Sequence, residues 1–162
     1  MPDRYLDKLE AETIYILREA YNKVSPLGML WSIGKDSNAL LWMVKKAFFG
    51  KVPFPLLHID TTWEFAEMAQ FRDRLAEELD LNVLVHINEE ALELGVHPIE
   101  SGSVKYNDQM KTVALKQALD KYGFDAALGG ARRDEEKSRA KERVFSVRTP
   151  THGWDPKAQR PR

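Results

Sequence analysis

The stretch LWSIGKDSNALL, Leu30 to Leu41, decides how this chain reads. A short apolar run, Met29–Ser32, stops at a polar cluster, Ser32–Ser37. Apolar spacing then resumes, with Leu40, Leu41, Val44 and Phe48 on one helical face and Gly50 beyond its end. This predicts a strand over 29–32, a tight loop, and a helix over 37–49.

The figure repeats in both directions. Residues 4–23 place Leu6, Leu9, Thr13, Ile16, Leu17 and Ala20 at helical spacing before the break SPLG. FPLLHID, Phe54–Asp60, predicts a second strand, and a helix over 64–80 carries Phe65, Met68, Phe71, Leu75 and Leu79. Asn82–Ile87 predicts a third strand and Asp125–Gly130 a fourth, with a helix over Met110–Tyr122 that Gly123 can close. Residues 88–107 read as irregular. Short strands without polar alternation, separated by amphipathic helices, indicate βαβ units. The expected fold is α/β: a parallel sheet of about four strands flanked by helices. Such sheets hold their sites beyond the carboxyl ends of the strands. Here those ends are Ser32, Asp60, the stretch after Ile87, and Gly129-Gly130.

Composition sets outer bounds. The 162 residues suffice for one domain with a core. Cysteine is absent, so this chain holds no disulfide, thiolate metal site or cysteine nucleophile. No apolar run approaches the roughly 20 residues of a membrane span, and MPDRYLDKLEAE at the start has no secretory signal's apolar core. A cytoplasmic location is expected. Charge is uneven: residues 131–162 hold ten Lys/Arg against five Asp/Glu, +5, while residues 1–130 hold fourteen against twenty, −6. A basic end on an acidic body suits a polyanionic ligand or partner, or simply a solvated tail. The expected division is an α/β domain over 1–130 and a basic segment of the same domain over 131–162.

Three loops carry the chemistry. In Ser32–Ser37, a strand-to-helix turn offers unpaired backbone N–H groups at the positive end of a helix dipole. Gly34 lets a ligand approach, Ser32 and Ser37 add hydroxyls, and Lys35 adds charge, which makes a phosphate cradle. The spacing is neither that of a Walker loop nor G-x-G-x-x-G. The same residues can serve as a plain helix cap, through Asp36 or Ser37. Asp60, Thr61 and Thr62 could face a ribose or base, or cap the next helix. Gly129 and Gly130 end a strand just before Arg132 and Arg133, whose forks suit oxyanions. The stretch that follows could instead be a solvated helix with pairs such as Glu135 and Arg139. His58, His86, His97 and His152 lack metal-ligand spacing, and His58 and His86 fall inside strand patterns. Trp31 and Trp42 are expected in the core, Trp63 and Trp154 nearer the polar loops.

SIGKDS resembles the loop S-G-G-x-D-S of the N-type ATP pyrophosphatases, which cleave ATP between its α- and β-phosphates. Within that superfamily, WSIGKDS at 31–37, PFPLLHIDTTWEF at 53–65, YGFDAALGGARRDEEKSRAKER at 122–143 and WDPKAQRP at 154–161 are similar to the small subunits of sulfate adenylyltransferases, in the phosphoadenylylsulfate reductase family. The resemblance runs from about residue 5 to the last residue. It implies an adenine nucleotide alpha-hydrolase-like sheet and the reaction of ATP with sulfate to adenylyl sulfate and pyrophosphate. It implies that Ser32, Ile33, Gly34, Lys35, Asp36 and Ser37 hold the β- and γ-phosphates, with Asp60 and Thr61 near the adenosine. Gly129, Gly130, Arg132 and Arg133 would face the α-phosphate and sulfate, with Lys35, Arg132 and Arg133 in catalytic roles. ATP, Mg²⁺ and a GTP-hydrolysing large subunit are the implied substrate, cofactor and partner; nucleic acid and membrane are not expected.

The chain departs from the family in two ways. Thr62 stands where H-[IV]-D-T-G-W has glycine, and family members are nearly twice as long, their further half carrying a fifth strand and part of the large-subunit contact. Two alternatives stand beside the transferase. One is an adenylyl-sulfate or phosphoadenylyl-sulfate reductase, whose chemistry needs a cysteine that this chain lacks. The other is an ATP-binding or partner-docking module without catalysis.

Overall fold

Four short strands, β1 (Leu27–Leu30), β2 (Leu56–Ile59), β3 (Val83–His86) and β4 (Ala126–Leu128), form one sheet in the order β3-β2-β1-β4. Every pairing is parallel, with Met29 opposite Leu56, Leu57 opposite Leu84, and Leu27 opposite Ala126. The computed structural model describes residues 4–132 and 134–159. The central strands β1 and β2 are buried along almost their whole length, while Val85 on β3 is 39% exposed, as an edge strand allows.

Helices α1 (Arg4–Lys23), α2 (Lys35–Ala47), α3 (Ala66–Glu78) and α6 (Ala114–Tyr122) are the long connectors, with α4 (Glu89–Glu93) and α5 (Ser103–Asn107) between β3 and α6. Helix α1 packs on α2, and Arg18 Nε donates to Ala47 O (2.8 Å), satisfying a carbonyl at the end of α2. Leu17, Ala20, Met29, Trp31, Val44 and Leu56 lie in the main core. Ala91, Val96, Tyr106 and Met110 form a second cluster with Ile87 beneath the chain that follows β3.

Several boundaries differ from expectation. Strand β1 begins at Leu27 and stops at Leu30, because its amino end pairs with β4. Helix α2 opens at Lys35 rather than Ser37, since Asn38 N bonds Gly34 O (3.0 Å). Residues 88–107 are not irregular. Asn88 Oδ1 accepts from Ala91 N (3.2 Å) to start α4, and Gly102, at φ 77°, opens α5. The helix expected from Met110 begins as a π-helical stretch, Asp108–Val113. There Ala114 N reaches back five residues to Gln109 O, and Asn88 Nδ2 donates to the same carbonyl (2.9 Å). Gly123 closes α6 in the left-handed region, φ 64°. Trp42 is not in the core: it is 59% exposed, because Leu41, Val44 and Ala47 occupy the inward face of α2. Phe65 (77% exposed) and Phe71 are likewise outside, and α3 buries no residue fully.

The strand order has a reversal. From β1 the chain adds β2 and then β3 on one side, and then returns to place β4 on the other side of β1. Right-handed crossovers running in opposite directions put their helices on opposite faces of the sheet. The reversal makes the carboxyl ends of β1 and β4 the topological switch point, the position at which open α/β sheets bind ligands.

The chain divides into two compact units after Gly129. In the second, a 3-10 turn (Lys137–Arg139) replaces the solvated helix anticipated as an alternative, though the Arg139–Glu135 pair is present at 3.1 Å. An antiparallel bridge joins Arg148 to Trp154, Gln159 Nε2 donates to Val147 O (2.8 Å), and the Lys141 ammonium lies 5.3 Å from the Trp154 ring. No described helix is long and apolar enough to cross a membrane.

Candidate functional site

The loop after β1 is tied down from below. Trp31 is fully buried. Its carbonyl accepts from His58 Nδ1 (2.9 Å), and its indole Nε1 donates to Asn38 Oδ1 (2.8 Å). Asn38 Nδ2 in turn donates to Ile33 O (2.9 Å). Ser37 Oγ donates to Gly34 O (3.0 Å), so the 3.3 Å contact between the Ser32 and Ser37 hydroxyls makes Ser32 the donor. Both hydroxyl protons are thus engaged inside the loop, and a ligand would meet backbone N–H groups and Lys35 first.

No side chain caps α2: Gly34 is the N-cap, and neither Asp36 nor Ser37 serves there. This overturns the capping alternative for the loop and leaves the leading N–H groups of the helix without intrahelical partners. The left-handed residue is Ile33, at φ 64°, while Gly34 is extended at φ −71°. A Cβ on Gly34 would lie 3.4 Å from Ser32 Oγ, an ordinary contact, so neither packing nor φ requires glycine at this position. Lys35 is highly exposed and pairs with its neighbour Asp36 at 2.9 Å.

The loop after β2 is built around Asp60. Its Oδ1 accepts from Thr62 N (2.7 Å), an Asx turn that holds Thr62 at φ 65°. Its Oδ2 lies 3.9 Å from Arg72 Nη1, a buried nitrogen with no hydrogen bond of its own. Thr61 is buried and its carbonyl accepts from Tyr106 Oη (2.7 Å). Neither threonine caps α3, whose N-cap is Phe65 without a side-chain bond, so that alternative is also overturned. His58 is buried as a sheet residue, and its Nε2 lies 3.3 Å from Glu64 Oε2 without hydrogen-bond geometry. Through its two nitrogens His58 spans the loops after β1 and β2.

The sheet thus brings Ser32–Ser37, Asp60-Thr61 and Gly129 to one edge, the last directly after β4 and exposed. Gly130 and Arg132 belong to the second unit, where Arg132 is exposed and its Nε lies 3.5 Å from Asp134. Arg133 lies outside the described residues. Asn38 and Tyr106, which fix the first two loops from behind, were not among the residues anticipated. The one signal for Asn38 is an amide on the same helical face as Leu41.

Sheet order and edge loops define a doubly wound parallel α/β protein with its polar loops gathered at the switch point. The chain belongs to the phosphoadenosine phosphosulfate reductase domain family, whose model matches residues 26–155. It is 62% identical to sulfate adenylyltransferase subunit 2 of Chelativorans sp. (strain BNC1) over 97% of this chain and 52% of that protein. It is 61% identical to the subunit of the same name from Pseudoalteromonas translucida (strain TAC 125), over 97% and 53%. The chain therefore spans about half the length of the curated relatives it matches. Among solved structures, phosphoadenylyl-sulfate reductase from Candida auris, in a phosphate complex, shares the fold with a TM-score of 0.61 at 21% identity, over 82% of this chain and 69% of that one.

Proposed function

We propose that this chain supplies the ATP site for sulfate activation, in which a sulfate oxygen attacks the α-phosphorus of ATP, adenylyl sulfate forms and pyrophosphate leaves. The observation that carries the reading is SIGKDS at the uncapped start of α2, beside the switch point, in a chain about 60% identical to sulfate adenylyltransferase subunit 2. The backbone N–H groups of that helix end, with Lys35, would hold the β- and γ-phosphates, where charge accumulates as pyrophosphate departs. Asp60 and Thr61 would face the adenosine. Gly129, Gly130, Arg132 and Arg133 would receive the α-phosphate and sulfate. The relatives' shared name favours the transferase over a reductase.

Magnesium of this kind is held by one or two carboxylates together with substrate phosphates. Among the described residues no cluster of three or more His, Cys, Asp or Glu side chains forms a metal site. The exposed Asp36 on the first turn of α2 fits the smaller role, and the ion would neutralise charge on the phosphates. The word subunit in the relatives' names supports a larger partner, which we take to be a GTP-hydrolysing subunit. Location in the cytoplasm belongs to the same reading.

The test is pyrophosphate release from ATP, Mg²⁺, sulfate and GTP with the large subunit present. Sulfate-dependent release is expected, and an Arg132→Ala chain should lose it while keeping its melting temperature. A folded, complete heteromer that releases none overturns the proposal. A second reading, ATP binding without turnover, draws on Thr62, whose side chain stands at φ 65° beside Asp60. ATP binding with no turnover, alone and with the partner, would favour it.

A further inference from the structure

We infer that Asn38 is a positioning residue for the anion-binding loop, acting through Ile33; the inference rests on the cradle reading above. The amide joins the most deeply buried part of the sheet to the most strained part of the loop. Its Oδ1 takes the proton of Trp31 Nε1 at 2.8 Å and its Nδ2 donates to Ile33 O at 2.9 Å. An indole only donates and a carbonyl only accepts, so the two partners fix the orientation of the amide without ambiguity.

Ile33 needs such a partner. A β-branched residue at φ 64° is an outlier that persists only when its surroundings over-determine it. Immediately after Ile33 the chain turns into Gly34 and α2, so the dihedrals of Ile33 set where the leading N–H groups of that helix point. Trp31 is fully buried and is itself held by Leu57 O at its N–H and His58 Nδ1 at its carbonyl. Asn38 passes that rigidity to the loop. Neither Lys35 nor Ser32 reaches Ile33 O.

Three variants read by calorimetric titration of inorganic pyrophosphate test this: Asn38→Ala, Ile33→Gly, and the two combined. Asn38→Ala should weaken binding by about tenfold or more, the equivalent of roughly 1.4 kcal/mol. Glycine adopts the left-handed turn without a clamp, so the double variant should regain most of that loss. It still leaves Trp31 Nε1 without its acceptor, so recovered affinity cannot come from repaired packing, and thermal melting of each variant tracks that structural part separately. If Asn38→Ala does not fold, Asn38→Ser takes its place in the cycle. A folded Asn38 variant that binds like the wild type overturns the inference, as does a loss that Ile33→Gly leaves untouched. A wild-type chain that binds no pyrophosphate overturns the cradle reading and this inference with it, and is told apart because the unsubstituted protein fails.

Discussion

At the residue scale, two β-branched side chains stand where the backbone is left-handed: Ile33 at φ 64° and Thr62 at φ 65°. An L-residue in that region costs about 1–2 kcal/mol relative to the right-handed helix. Thr62 is held there by its N–H to Asp60 Oδ1 at 2.7 Å. Thr62→Gly removes the steric cost and adds about 0.5–1 kcal/mol of chain entropy, so the variant should be more stable by about 0.5–1 kcal/mol. Urea unfolding reads this as a higher midpoint at unchanged slope; a lower midpoint would show that Thr62 makes compensating contacts. Thr62, as a departure from the resembled pattern H-[IV]-D-T-G-W, was legible in the sequence. Its backbone cause was not, because φ depends on an Asx turn that only Asp60 in its folded place can make. Likewise the polar loop could be read from its residues, but its left-handed position falls on Ile33 and not on Gly34.

At the element scale, the four strands and the long helices were legible because periodicity survives short lengths, and the sheet is parallel as expected. Their ends were not, since a strand stops where its neighbour stops: β1 begins two residues early because Leu27 has Ala126 beside it. The short helices α4 and α5 escaped periodicity through being single turns started by Asn88 and Gly102. Gly28 shows how tightly the elements meet. A Cβ there would lie 2.9 Å from the ring of Phe124, which follows α6 and leads into β4. Gly28→Ala should therefore cost about 1–3 kcal/mol by forcing the ring or the strand aside. Thermal unfolding checks it, and an unchanged melting temperature would mean that Phe124 moves freely.

At the scale of the whole molecule, the reversal in strand order makes the carboxyl ends of β1 and β4 neighbours on one edge of the sheet, where the loop Ser32–Ser37 begins, and β2 adds Asp60 and Thr61 to that edge. Alternating strand and helix patterns disclosed that edge, since the strand ends are where glycine and charge collect. What they could not disclose is the support behind it, Asn38 on α2, Tyr106 on α5 and His58 on β2, because each acts on a loop distant in sequence. Two of the three lysines of α2, Lys35 and Lys46, would separate site from scaffold. Lys35 stands exposed at the loop, whereas Lys46 pairs with Glu10 across the α1–α2 contact. The most direct measurement is a titration of ATP into the chain, repeated with inorganic pyrophosphate present and with Lys35→Ala and Lys46→Ala. Binding that pyrophosphate competes away, and that Lys35→Ala weakens more than Lys46→Ala, is the predicted result; no binding, or equal effects of the two substitutions, would contradict the assignment of Ser32–Ser37 as the phosphate cradle.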